Sequence, residues 1–270
     1  MDIVSARRID LTSNTLEANM FGIFTKQHSK IVFFFRKDRS LHYFDEALHS
    51  WEKYPVDIKG CTIPLPYDWY WSESHSCLLF SDIEGINIAN KCFLSPLSTS
   101  LRSEYINNTR SAKHLVEDDF QFEDYCISHK GMMGYSCTRN GRHLWDFRGR
   151  AYLFTEIERY KNVVYFGTGG AGGYFYALNL DTGTPIVALK TGGTSCIERI
   201  GHLCYFLQCD KETSLVCVNL LSGDIEDRIQ LSGTAMIYSR LKLIDDKLHA
   251  ITFQYQKKQL QAAIWHTVQI

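Results

Sequence analysis

Along much of this chain, apolar and aromatic residues come in short runs that end in asparagine, aspartate or glycine. Tyr174-Phe175-Tyr176-Ala177-Leu178-Asn179-Leu180 leads into Asp181-Thr182-Gly183, and Ile186-Val187-Ala188-Leu189 follows directly. Runs this short, rich in aromatic and β-branched residues and closed by turn formers, predict strands joined by hairpins. The same order returns in His202 to Leu207, Ser214 to Gly223 and Ile225 to Leu231, with Ser222-Gly223 placed 40 residues after Thr182-Gly183. Upstream, Met133 to Phe147 carries the turn Asn140-Gly141, its glycine 42 residues before Gly183.

Fainter copies complete the series. Ile31 to Phe35 is followed by Leu41 to Asp45 and Trp51, Cys77 to Phe80 by Gly85 to Ile88, and Leu248 to Phe253 by Leu260 to Trp265. Six units of about forty residues, each with about four strands, predict the blades of a β-propeller. The expected fold is all-β: one propeller domain over residues 1–270, six blades favoured and seven allowed. The last unit reaches Ile270 soon after its third strand, so the stretch Asp2 to Leu11 is expected to supply the missing outer strand and close the ring.

One motif argues for something else. Gly167-Thr168-Gly169-Gly170-Ala171-Gly172 satisfies the dinucleotide fingerprint G-x-G-x-x-G, behind the strand-like Asn162 to Phe166. That fingerprint needs a helix after the glycines, because the first-turn amides hold the pyrophosphate. Here a strand-like run follows, and where an acidic residue should meet the ribose the chain reads Ile186 to Lys190. We therefore expect no nucleotide or other cofactor. The glycines read as a wide hairpin, in which positive φ and crossing backbones favour residues without Cβ.

Tyr176-Ala177-Leu178-Asn179-Leu180-Asp181-Thr182-Gly183 resembles the core of the repeat in pyrroloquinoline-quinone-type propellers, and Asn140 to Trp145 resembles its turn-to-tryptophan half. The match is good between about residues 130 and 231 and faint elsewhere. It implies a fold and no activity. The quinone enzymes of that family resemble each other in larger size, secretion, a calcium site and often adjacent cysteines. This chain has no Cys-Cys pair, and none of their catalytic residues is carried over.

With 45% hydrophobic residues and a net charge of −1, the composition suits a soluble domain and shows no basic run for nucleic acid. Arg7, Arg8, Asp10 and Glu17 interrupt the first 24 residues, which argues against a signal peptide, and no apolar stretch is long enough to span a bilayer. The nine cysteines are odd in number and scattered, Cys77, Cys126, Cys204 and Cys217 lying in strand-like runs. They read as free, partly core, thiols in a reducing cytoplasm. No zinc-ligand pairing, H-E-x-x-H or G-x-S-x-G occurs.

Two segments depart from the repeat and become candidates for function. Glu117, Asp118, Asp119, Glu123 and Asp124 surround Phe120 and Phe122 and lead to Tyr125. They are read either as a solvated loop with inward rings, or as an acidic surface for a basic protein with Phe122 or Tyr125 as anchor. Tyr67-Asp68-Trp69-Tyr70-Trp71 is either a strand packed between blades or part of a binding patch built on Tyr67, Asp68, Trp69 and Trp71.

The leading expectation is a monomeric, non-enzymatic, cytoplasmic propeller that binds a protein. It resembles some single-domain bacterial immunity proteins, which block toxins delivered by neighbouring cells, as in contact-dependent growth inhibition. The resemblance implies a cognate toxin as partner, a nuclease among the candidates, because a nuclease's basic surface invites carboxylates. The alternative is a hydrolase, a lyase or a small-ligand binder at the central channel, which facing carboxylates or a histidine cluster there would favour.

Overall fold

The computed structural model describes residues 1–10, 20–26, 29–35, 41–45, 50–54, 69–109, 119–169, 172–193, 196–209, 212–235, 241–256 and 259–270. The chain forms two compact units, Met1–Asp10 with Lys113–Ile270, and Leu11–Ala112. β1 (Asp2–Asp10) belongs to the first. The second holds β2 (Met20–Lys26), β3 (Ser29–Phe35), β4 (Leu41–Asp45) and β5 (Ser50–Tyr54) in one antiparallel sheet. Its other sheet is β6 (Tyr70–Ser72), β7 (Cys77–Leu79), β8 (Gly85–Asn87) and β9 (Cys92–Leu94), followed by helix α1 (Thr99–Asn108).

The larger unit continues with three more four-stranded meanders. These are β10 (Phe120–Phe122), β11 (Tyr125–His129), β12 (Gly134–Arg139) and β13 (Arg142–Arg148); β14 (Glu158–Tyr160), β15 (Val163–Gly167), β16 (Tyr174–Asn179) and β17 (Pro185–Lys190); and β18 (Ile197–Ile200), β19 (Leu203–Cys209), β20 (Thr213–Asn219) and β21 (Ile225–Gln230). The last sheet has β22 (Leu241–Ile244), β23 (Lys247–Gln256) and β24 (Gln259–Gln269), and takes β1 as its fourth strand. β1 pairs antiparallel with β24 from Asp2↔Gln269 to Asp10↔Ala262. Six successive four-stranded antiparallel sheets, the last completed by the first strand, make an all-β, propeller-like fold.

In the sheets β10 to β13, β14 to β17 and β18 to β21, the first two and last two strands join at one end, here the turn end, and the middle hairpin lies at the other, the loop end. The repeat is one turn used twice at the turn end. Asn179 accepts on Oδ1 from the amides of Asp181 and Thr182, and Asn219 accepts from those of Leu221 and Ser222. Gly183 and Gly223 close the two turns on the carbonyls of Asn179 and Asn219, each at 2.8 Å. Between sheets, Trp145 Nε1 donates to the Leu180 carbonyl at 2.8 Å, and a Cβ on Gly183 would stand 2.6 Å from the indole. With φ at +67° as well, Gly183 is needed for both its backbone and its neighbour. Below this lock, Tyr135, Phe147, Phe166 and Tyr176 interleave, with Tyr135 and Phe166 centroids 4.9 Å apart, and Phe175 stacks on Phe206 at 4.3 Å in the next interface.

The glycine motif lies in the hairpin between β15 and β16, with a strand after it. The positive φ expected there is not found: among its described glycines, neither Gly169 nor Gly172 has one. Crowding is the reason instead. A Cβ on Gly169 would meet the Phe154 ring at 2.8 Å, and one on the adjoining Gly173 would meet Gly193 Cα at 2.7 Å, whereas Gly172 has nothing within 4 Å. Cys77, Cys204 and Cys217 are buried free thiols, and so is Cys137; Cys126 is only half-buried. Burial pushes the Cys77 and Cys137 thiols up to about 11. No helix among the described residues is long and apolar enough to cross a membrane.

Two outcomes test this account. Gly183→Val should cost about 2 kcal/mol or more, combining φ strain with displacement of the indole, while Gly172→Val should stay within about 0.5 kcal/mol. Urea midpoints would distinguish them, and an equal loss at Gly172 would overturn the assignment. The second concerns His266, buried in the last sheet opposite Ala6 of β1. Its Nε2 lies 3.1 Å from the Ser232 carbonyl, while Nδ1 has no hydrogen-bond partner among the described residues. Burial lowers its pKa below the ordinary 6.5, so below that pH the unfolded chain binds a proton that the folded chain refuses. Stability should fall on acidification from about pH 6.5, with a slope of up to about 1.4 kcal/mol per pH unit. The part due to this group should vanish in His266→Gln, as read from urea midpoints across the pH range.

Candidate functional site

The acidic segment reaches the turn end at Glu123 and Asp124, which join β10 to β11, Glu123 with φ at +56°. Next comes Tyr125, whose side chain the structure makes a hub. Its ring is only 5% exposed, with the hydroxyl at the rim donating to Asp181 of the next sheet. The Arg139 guanidinium lies 4.9 Å from the ring centroid and that of Arg159 lies 5.6 Å away. The same arginines hold the acids: Arg139 Nε donates to Asp124 at 2.5 Å and Arg159 pairs with Glu123 at 3.1 Å. Asn162 adds a 2.9 Å hydrogen bond to Asp181.

These contacts fix protonation. The Arg139 hydrogen bond holds the Asp124 carboxyl below the usual carboxylate range, and those from Tyr125 and Asn162 do the same for Asp181. Cation–π contact with both guanidiniums and an acceptor on its hydroxyl hold the Tyr125 ring in place. The result is a patch of paired groups, three carboxylates against two guanidiniums, whose charge is largely balanced within the chain.

The expectations for individual residues are modified accordingly. Tyr125 is committed to its own chain and offers no ring to a partner; Phe122 packs against the core, and Phe120 is buried. Asp119 is exposed beside the Cys126 thiol, at 3.6 Å. Trp71 on β6 and Trp69 just before it are both buried, so they pack inside and present no exposed patch. Glu117, Asp118, Tyr67 and Asp68 lie outside the described residues. Arg139, Arg159, Asn162 and Asp181 were missed, since each lies 14 or more residues from Tyr125; the one available signal was Asp181 in the repeated turn.

Two further clusters bear on the channel alternative. Tyr165 of β15 donates to Glu158 of β14 at 2.6 Å and accepts from Arg199 of β18 at 3.0 Å, and Lys242 of β22 lies 3.6 Å from Glu198 of β18. Burial raises the Glu198 carboxyl, and burial with the Glu158 contact raises the Tyr165 phenol, so Tyr165 stays protonated. Both carboxylates are already compensated, Glu158 by a phenol and Glu198 by an ammonium. In the smaller unit, Ser72, His75 and Glu104 meet with Ser72 Oγ 3.0 Å from His75 Nδ1 and 2.9 Å from Glu104. A nucleophilic triad needs the imidazole to bridge serine and carboxylate through its two nitrogens. Here serine and carboxylate crowd the same Nδ1, and Ser72 is fully buried. With Tyr70 also donating to Glu104, the cluster ties α1 to β6.

No protein family matches the chain, and no curated protein matches it either. Among solved structures, U3-55K is similar with a TM-score of 0.50 and 12% identity, over 97% of this chain and 98% of that chain. BamB from Moraxella catarrhalis, a PQQ-like β-propeller, gives a TM-score of 0.49 and 13% identity, over 100% and 97%. A chain of the mitotic checkpoint complex gives 0.40 and 7%, over 99% and 91%. At such identities the likeness concerns the fold alone.

Proposed function

We propose that this protein is a non-enzymatic propeller that binds another protein through the turn end of its larger unit, where Asp119, Glu123 and Asp124 meet a basic surface. In the finer form of this reading it is a monomeric cytoplasmic immunity protein, and its partner is a toxin domain, such as a nuclease, whose cationic face the carboxylates cover. The observation that supports it is the placement of the carboxylates: Asp124 and Glu123 stand side by side on the turn between β10 and β11, paired with Arg139 and Arg159. The finer form draws on the acidic-aromatic composition of residues 117–125 and on the resemblance to immunity propellers.

The internal pairing changes what a partner must do. A lysine or arginine arriving at Glu123 competes with Arg159, so exposed charge contributes mainly to association rate and weakens with salt. Arg159→Met frees Glu123 and should speed association with a basic partner encoded beside this chain, whereas serine or asparagine at Glu117, Asp118, Asp119, Glu123 and Asp124 should slow it and flatten its salt dependence. Stopped-flow or surface-plasmon kinetics reads both signs. If both variants fold and bind at the wild-type rate and salt dependence, the segment is a solvated loop and the reading fails.

A further inference from the structure

The loop end of the larger unit carries charge of the other sign. β13 ends at Arg148, and the connection to β14 begins Gly149-Arg150-Ala151-Tyr152. Arg148, Arg150 and Lys190 are exposed and form no ion pair among the described residues. They belong to one surface. Gly149 donates its amide to the Met133 carbonyl at 2.9 Å, which sets the turn bearing Met132 beside this connection. The Arg150 guanidinium lies 5.7 Å from the Tyr174 ring, and Tyr174 faces Lys190 across the β16–β17 ladder. Tyr152 is fixed next to the glycine hairpin, its carbonyl accepting from the Gly169 amide at 2.9 Å.

Two side chains on this surface are apolar and open to solvent, Met132 at 81% and Tyr152 at 45% exposed. Described carboxylates here are few, and one of them, Glu212 in the hairpin between β19 and β20, is exposed. Asp146 is taken by Lys130 at 2.7 Å and by His143 at 3.1 Å, and its acid is held strongly ionised by them; Glu156, half-buried, is the one acid between Gly149 and Ile157. The turn end differs, because there each arginine beside Tyr125 has a carboxylate partner.

We propose that this loop-end surface docks an acidic segment of a partner protein, with Arg148, Arg150 and Lys190 meeting its carboxylates and Met132 and Tyr152 its apolar side chains. Arginine, tyrosine and methionine are the residue types that interface cores favour, and uncompensated cations beside exposed apolar groups supply both steering and burial. A single-stranded nucleic acid would also meet cations and rings. A protein segment is favoured because Tyr174 is already covered by Arg150 and stacked on Tyr176 at 5.5 Å, which leaves little free ring face for bases. The inference is independent of the turn-end reading, which concerns other residues and a partner of opposite charge.

The probe is a fluorescein-labelled peptide of aspartate and glutamate around one central phenylalanine, followed by anisotropy, with an oligothymidylate of equal charge as competitor. Saturable binding that weakens with salt is expected. Combined Arg148→Ser and Lys190→Gln, both at exposed sites, should weaken it about tenfold, as the loss of two modest charge contacts implies. Combined Met132→Ser and Tyr152→Ser should weaken it about threefold with an unchanged salt slope, as loss of partly buried apolar contact predicts. The fivefold acid variant of residues 117–124 should bind the peptide as wild type does, so failure here and failure at the turn end are separate results. Absence of saturable binding, equal binding by the charge variant, or stronger binding of the oligothymidylate each overturns the proposal.

Discussion

The pairing of β1 with β24 is the constraint on which the larger unit rests. It joins Asp2–Asp10 to the far end of the chain, and without it β24 would present a bare row of amides and carbonyls to solvent. Closing so long a loop is cheaper than its length suggests, because the entropic cost grows only with the logarithm of the number of residues. The kinetic cost is larger, since sheets completed by distant segments fold slowly. The closing strand also buries Ile9 and pairs Ala6 with His266 across 260 positions of sequence.

Within that frame, the net charge of −1 conceals an uneven distribution. At the turn end, acids that look like a free field in the sequence are matched by Arg139 and Arg159, which reach them from other strands and clasp Tyr125 between them. At the loop end, Arg148, Arg150 and Lys190 stand without such partners among the described residues. Long-range attraction therefore depends on which charges the fold leaves unmatched, a different quantity from the run of charge along the chain.

This explains what was legible in the sequence. The Asn140-Gly141 hairpin, both residues at positive φ, the forty-residue spacing of Gly183 and Gly223 and the strand at Asp2–Asp10 follow from local turn chemistry and strand periodicity, which short segments carry by themselves. Helix α1 was not legible, because only Leu101 and Tyr105 face inward and its other positions show no apolar stripe. The positive φ expected of the Gly167 to Gly172 motif is absent at its described glycines, and the crowding of Gly169 by Phe154 is set by packing and leaves no mark in local sequence. Tyr125 was read as an anchor for a partner, whereas its hydrogen bond and cation contacts run to residues on other strands, and only the folded register identifies Asp181 among them.

The two best-formed repeats show how such a scaffold takes on different surfaces. Asn179 and Asn219 hold their turns by the same side-chain-to-amide bonds, so turn geometry makes no demand on the residue two positions later. In one sheet that residue is Asp181, bound to Tyr125 and Asn162; in the next it is Leu221, 48% exposed. The fold needs the asparagine and the glycine and leaves the tip to vary, which separates what stabilises the propeller from what it presents. A surface built on such tips and on the connections between sheets can change charge and shape with little effect on the core, and it is there, not in the aromatic interior, that one propeller differs from another in what it binds.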